Sequence, residues 1–487
     1  MYSILHISDL HRSPDDPISN DELISALRAD RYRYVSEEPA IRTPDAIVVS
    51  GDIIQGVPIG TANHLEELRC QYSIAEDFLA RLCEEFVGGD RSRVVLVPGN
   101  HDVDWNTSRA AMVEVAADNE PRPEVAFRED SQYRWDWRTK RFYQIIDQNR
   151  YSQRLDAFWD FAERFYTGVP GLLRFARGTD YNVFRLCDNR IGVAAFNSCN
   201  GNDCFSFHGS IKRQAISASH LELGSAPYSF ELWLAAWHHN IEGPPYRTDY
   251  MDMDLVRNMI GRGFRLGLYG HQHRTQAEPR HIFLPDRNTM AVVGAGSLCA
   301  GPKELPTGFY RQYNIIELAD NLQSARVHIR QMETAQLFSR AHLSSVGGRS
   351  YVDLECEIPG EIAARLAATR PTFQAQAILE AERFVKKERF PDAVSLLEPL
   401  IVGLERYGRM VFFEAAVGAR RWDLVIKHGD PPQSIQELMS LIEAYDQTHQ
   451  TLLGREALTR YGEALKMPEA MNNELQKRLA IREMQTK

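Results

Sequence analysis

The stretch VVLVPGNHDVDW, Val94 to Trp105, begins as a run of four apolar residues and ends in Asn100, His101 and Asp102. A β-branched run of this kind predicts a buried strand, and Pro98-Gly99 stops it. A core strand that delivers an amide, an imidazole and a carboxylate at its tip is either an ordinary turn or one corner of a site. Four other apolar runs end alike: YSILHIS in Asp9-Leu10-His11, DAIVVSG in Asp52, ELWLAAW in His238-His239, and FRLGLYG in His271-Gln272-His273. Each alone has a plainer reading. Asp9 and His11 fit an Asx turn, His271 and His273 a solvated loop, His238 and His239 one core and one surface histidine, and Gly51-Asp52 and Gly99-Asn100 simple turns. In an α/β sheet, however, the carboxyl ends of strands share one edge, where ligands bind. Five such ends carrying metal-type ligands point to a single site.

The chain has 487 residues, 44% apolar and 25% charged, enough for two or three domains with a large core. Its formal charge of −10 argues against a generally basic, nucleic-acid-coating protein, although bound cations could supply local positive charge. The seven cysteines (Cys70, Cys83, Cys187, Cys199, Cys204, Cys299 and Cys356) are odd in number and scattered, as in a reducing cytoplasm. A strand-like segment starts at Tyr2 where a signal peptide would have its basic region, and no apolar run reaches the ~20 residues of a membrane span. The expectation is a cytoplasmic protein without membrane contact.

Residues 1–345 alternate strands and helices, the pattern of a layered α/β domain. The expected strands are Ser3–Ser8, Ala46–Ser50, Val94–Val97, Ile191–Asn197, Leu232–Trp237, Leu266–Tyr269, Met290–Gly294, Asn314–Leu318 and Ala325–Arg330. Residues 105–180, rich in aromatics and lacking strand patterning, read as a helical cap insertion. SSVGGRSY (344–351) suggests a linker over 346–370, and 371–487 reads as an all-α domain. There Arg389, Arg421 and Leu453 stand at 32-residue intervals, each before an apolar turn. That spacing is similar to tetratricopeptide-type repeats, with a plain helical bundle as the alternative.

The ordered set D-x-H, G-D, G-N-H-D, H and G-H-x-H resembles the calcineurin-like metallophosphoesterase superfamily over about residues 1–335. The resemblance implies a two-layer β-sandwich flanked by helices, with two divalent metal ions. By motif, Asp9, His11 and His273 would hold one metal and Asn100, His238 and His271 the other, with Asp52 bridging. His238 is taken over His239 because the family's ligand directly follows the strand. His101 would stand beside the metals as a catalytic group, and Asp102 would orient His101 or a neighbouring backbone amide. Two cations about 3.5–4 Å apart clamp a phosphoryl oxygen and lower the pKa of a shared water. Imidazole-rich ligands favour Mn²⁺, with Fe or Zn²⁺ as alternatives.

Protein phosphatases of this superfamily carry a phosphate-clamping arginine in the second motif, and GDIIQG has none. GNHD is instead the form of the phosphodiesterase branches, which include cyclic-nucleotide phosphodiesterases and nucleases. Within the insertion, RWDWRTKRFY (134–143) interleaves Arg134, Arg138, Lys140 and Arg141 with Trp135 and Trp137, as single-stranded nucleic acid or a nucleotide would require. The same stretch also fits an amphipathic cap helix with solvated cations. The expectation is a metal-dependent phosphodiesterase, a nuclease first and a cyclic-nucleotide enzyme second. Its helical C-terminal region would bind a protein partner, as in an effector of a multi-subunit bacterial complex. The competing class is a non-catalytic interaction scaffold.

Overall fold

The computed structural model describes the chain except residues 127–130, 227, 229, 242–248, 274, 279–289, 301–304, 306–309, 333–335, 344–347, 357–372, 405, 466 and 487. The chain divides near residue 363 into two compact units.

The first unit has the strands β1 (Tyr2–Ile7), β2 (Ala46–Ser50), β3 (Val94–Val97), β4 (Met112–Glu114), β5 (Tyr133–Asp136), β6 (Arg141–Ile145), β7 (Tyr181–Leu186), β8 (Ile191–Phe196), β9 (Leu232–Ala236), β10 (Leu266–Tyr269), β11 (Gln276–Glu278), β12 (Ala291–Gly294), β13 (Arg311–Leu318), β14 (Ser324–Met332), β15 (Phe338–Arg340) and β16 (Tyr351–Glu355); the expected runs are β1, β2, β3, β8, β9, β10, β12, β13 and β14. One sheet has the order β15-β14-β13-β1-β2-β3, with β16 also on β14, and a second has β11-β12-β10-β9-β8-β7. The first three strands run parallel, as do β8, β9, β10 and β12.

The two sheets face each other, and the side-chain period of two shows which face does what. Ile191, Val193, Leu234, Leu266, Leu268 and Val293 join Ile4, Ile47 and Val94 in the core between the sheets. Their neighbours Ala194, Phe196, Ala235, Trp237 and Val292 point the other way, onto the helices Arg213–Ser225 and Met253–Gly261. Each fully buried Val, Leu or Ile contributes about 1.5–3 kcal/mol. That interior fixes the register of every strand that carries a site residue at its tip.

The insertion over 105–180 corrects the expectation of a helical cap. It contains a three-stranded antiparallel sheet, β4-β6-β5. RWDWRTKRFY is a hairpin, because its alternation has period two rather than 3.6. Trp135 pairs with Phe142 on one face, and Arg134 pairs with Tyr143 on the other. Asp136 closes the turn by accepting from Arg138 N and Thr139 Oγ1, and Lys140 adopts φ +55°. Much of the aromatic content lies instead on the helix Asp156–Tyr166, whose Phe158, Phe161 and Phe165 enter the main core.

The expected linker 346–370 is also corrected. Val352 and Leu354 of β16 are buried, and the strand pairs with β14, Val352 opposite Val327. Residues 346–347 and 357–370 of that linker lie outside the described residues.

The second unit is helical. Three helix pairs follow one another: Phe373–Lys386 with Phe390–Leu397, Arg406–Gly418 with Trp422–Gly429, and Ile435–Gln447 with Thr451–Tyr461. Each pair turns through one left-handed residue, Glu388, Arg420 or His449. The next amide then reaches back to the same relative carbonyl: Arg389 N to Phe384 O, Arg421 N to Ala416 O, and Gln450 N to Tyr445 O. The third counterpart is therefore Gln450, not Leu453, and the strict 32-residue interval fails at the last step. Among the described residues no helix is long and apolar enough to cross a membrane.

Candidate metal centre

β1, β2 and β3 are adjacent and parallel, so Asp9, His11, Asp52 and Asn100 leave the same edge of one sheet. β9 and β10 do the same in the other sheet for His238, His271 and His273. Five of these residues, Asp9, His11, Asp52, His271 and His273, have φ between +44° and +75°. Non-glycine residues rarely adopt this conformation, which costs about 1–3 kcal/mol each where it is held by the surroundings. Close approach of the strand tips needs glycines. A Cβ on Gly51 (φ +92°) would lie 2.5 Å from His238 Nδ1, and one on Gly99 would lie 2.2 Å from Asp52 Oδ1.

Ligand atoms of Asp9, His11, Asp52 and His273 lie within 4.8 Å of one another, and those of Asp52, His238 and His271 form a second group. Asp52 belongs to both. Backbone amides hold the outer carboxylate oxygens, His271 N donating to Asp9 Oδ2 at 3.0 Å and His101 N to Asp52 Oδ1 at 2.8 Å. The inner oxygens face imidazoles: His273 Nε2 is 3.3 Å from Asp9 Oδ1, and His238 Nε2 is 3.2 Å from Asp52 Oδ2. Asn100 Oδ1 stands 3.0 Å from His238 Nε2 and 2.9 Å from His271 Nδ1.

This donor set fits cations. His238 Nδ1 lies 2.8 Å from Ser50 O and must donate to that carbonyl, so the neutral ring turns a lone pair towards Asp52 and Asn100. His11 Nε2 and His273 Nε2 meet at 3.1 Å, and His271 Nδ1 and His238 Nε2 at 3.2 Å. Acceptors converging in a buried space repel unless a positive charge lies among them. A proton can serve: burial opposes the charge on His238, but Asp52 holds its pKa up to about 9. Burial likewise pushes Asp52 up, yet His238 and the other imidazoles keep it well below the carboxylate range. Burial, then His101, lowers His11 to about 3, which leaves it a neutral ligand.

Around this cluster the structure separates the expected roles. His101 faces His11, with ring centres 4.6 Å apart, and its Nδ1 donates to Gln55 O at 2.7 Å. Asp102 is fully buried and accepts from Gly99 N, Ile53 N and Tyr72 OH. It fixes the backbone amides and is a positioning residue, not a catalytic one. His239 points away from Asp52: its Nδ1 lies 2.8 Å from Ser198 Oγ, which also receives His238 N. Sequence reading missed Ser198, the Gln55 carbonyl and Asp249, whose carboxylate is 3.5 Å from His271 Nε2. None of the three carries a motif.

The insertion residues divide. Arg134 is committed to Asp203, Tyr151 OH and the carbonyls of Ser131 and Tyr133, four of its five N–H donors, so it braces the insertion. Trp135 packs on Phe142, and Arg141 lies 3.7 Å from Glu114. Trp137, Arg138 and Lys140 stand exposed at the hairpin tip, Trp137 at 77%.

A two-sheet α/β fold presenting imidazoles and carboxylates at paired strand edges, with one shared carboxylate, defines the class of metal-dependent phosphoesterases. A family model described as calcineurin-like phosphoesterase matches residues 2–275, more than half of the sequence, and the chain belongs to that family. Among solved structures, the calcineurin-like phosphoesterase YfkN from Bacillus subtilis matches at 12% identity, covering 76% of this chain and 96% of its own, with a TM-score of 0.29. Vps29 from Chaetomium thermophilum matches at 9% identity, covering 73% and 100%, with a TM-score of 0.26. No curated protein matches the sequence.

Proposed function

We propose that the protein hydrolyses phosphodiesters, with nucleic acid as the substrate and two divalent cations, Mn²⁺ foremost, as cofactors. The observation that carries this reading is the convergence of two ligand groups on Asp52. Asp9, His11, Asp52 and His273 would hold one cation, and Asp52, Asn100, His238 and His271 the other. Such a pair polarises the phosphoryl group and acidifies water.

The chain's own groups do the rest. Amides of His271 and His101 keep the two carboxylates aimed inward. His101 spends Nδ1–H on Gln55 O, so Nε2 is the nitrogen that would take up a proton and pass it to the departing oxygen. Ile53 and Ile54, fully buried after Asp52, bring no cation for the second charge of a monoester, which favours a diester.

The exposed Trp137, Arg138 and Lys140 supply an aromatic face and cations for a single strand. A net charge of −10 makes unassisted binding weak. The helix pairs of the second unit suit a protein partner that brings substrate and enzyme together, as in a multi-subunit bacterial effector.

The test is Mn²⁺-supplemented hydrolysis of labelled single- and double-stranded DNA, RNA and cyclic nucleotides by wild type and His101→Ala. DNA or RNA cleavage that the variant loses supports the reading. Cleavage of cyclic nucleotides alone would replace nucleic acid with a nucleotide substrate. No hydrolysis of any of them by Mn²⁺-loaded protein refutes it.

A further inference from the structure

Gln71 is a polar residue on the buried face of the helix His64–Val87, between Leu68 and Ala75, and is only 7% exposed. Both ends of its amide bond one loop residue. Gly56 N donates to Gln71 Oε1 at 3.0 Å, and Gln71 Nε2 donates to Gly56 O at 3.1 Å. The first of these bonds has a further end. The N–H of Gly56 and the C=O of Gln55 belong to one planar peptide and point in opposite directions. That carbonyl is the one that accepts from His101 Nδ1 at 2.7 Å.

A single peptide plane therefore stands between Gln71 and His101. Donation from its N–H strengthens its carbonyl as an acceptor. Gly56 (φ +78°) lets the loop come this close, since a Cβ there would lie 2.9 Å from His101 O. The next helix residue, Tyr72, grips Asp102 on the other side of the same strand tip.

We propose that Gln71 is a positioning residue for His101: by clamping the Gln55–Gly56 peptide it fixes the imidazole with Nδ1–H on the loop carbonyl and Nε2 towards the substrate. The inference rests on the phosphodiesterase reading and on His101 as the group that serves the departing oxygen.

The test compares two diesters under Mn²⁺. Bis(p-nitrophenyl) phosphate releases a stable phenolate that needs little proton donation, whereas thymidylyl-thymidine releases an alkoxide that needs it. Gln71→Met should lower the ratio of kcat on the dinucleotide to kcat on the nitrophenyl ester by about tenfold or more, since a misplacement near 1 Å costs up to about 10². His101→Ala should lower it further, and Gln71→Glu, which keeps an acceptor for Gly56 N, should fall between wild type and Gln71→Met.

A second readout needs no turnover. The ¹⁵N spectrum of the neutral His101 ring, assigned by its loss in His101→Ala, should show the Nδ1–H tautomer alone in wild type, with Nε2 open to take up the proton it delivers, and a mixture of tautomers in Gln71→Met. If Gln71→Met does not fold, Gln71→Glu and the wild-type spectrum carry the test. Equal loss on both substrates, or an unaltered tautomer, overturns the inference while leaving the phosphodiesterase reading intact. A wild type inert on both esters overturns both, and a His101→Ala protein with no leaving-group dependence removes the role Gln71 is said to serve.

Discussion

Replacing Gly99 by alanine places one methyl group where the two metal groups join. The added carbon would lie 2.2 Å from Asp52 Oδ1 and 2.3 Å from Asp52 N. A carboxylate can rotate away, but a backbone nitrogen cannot. Carbon–heteroatom contact begins near about 3.4 Å, so the tips of β2 and β3 must part by about 1 Å. Ser50 and Val97 are paired just before the tips, so the displacement has to be absorbed within a few residues. Forced overpacking of this kind costs about 1–3 kcal/mol of stability. The functional cost is larger, because Asp52 serves both groups and a 1 Å error in a reacting geometry costs about 10² in rate. Calorimetric titration of Mn²⁺ into metal-free wild type and Gly99→Ala, with thermal unfolding alongside, measures both effects. Gly224→Ala, which meets only two Trp233 ring carbons at 3.8 and 4.0 Å, is the control for adding a methyl group. A Gly99→Ala protein that takes up two ions with wild-type affinity refutes the reasoning.

Asp52→Asn should lose both ions together, whereas His101→Ala should retain them and lose about 10²–10⁴ in kcat; elemental analysis beside kinetics separates the two. Asp30 receives a bidentate bond from Arg330 at 2.8 and 2.6 Å, with both side chains almost fully buried. Asp30→Ala should therefore destabilise the first unit by about 3–5 kcal/mol in urea unfolding while leaving metal stoichiometry intact. Removing the exposed cations in an Arg138→Ser, Lys140→Ser protein should reduce the salt slope of single-stranded DNA binding by about 1.4, at ~0.7 per phosphate contact. An unchanged slope would take the hairpin tip out of the substrate path.

The metal cluster was legible because strand tips are local in sequence: an apolar run, a glycine and a ligand residue can be read without knowing the fold. The choice of His238 over His239 came from the family resemblance, and the geometry turns His238 to Asp52 and His239 to Ser198. What escaped depends on contacts distant in sequence. Asp102 could be read as an orienting group, but which groups it orients could not, because its partners Ile53 and Tyr72 come from other elements. Arg134 looked free because Asp203 is 69 residues away. β16 was hidden by the small, polar stretch before it, and only its pairing with β14 makes a strand of it. The insertion misled by composition: aromatic density suggested a helix, whereas the alternation within 133–145 already had the period of a strand.

The close packing at Gly51 and Gly99 has a consequence for descent. The His238 ring rests where a side chain on Gly51 would be, and Asp52 rests where one on Gly99 would be. A change at one motif is thus felt by a residue that the sequence places far away. Such positions tolerate drift only together. A lineage that kept His238 and Asp52 in place would keep Gly51 and Gly99 too, and one that lost those side chains would free both glycines to change.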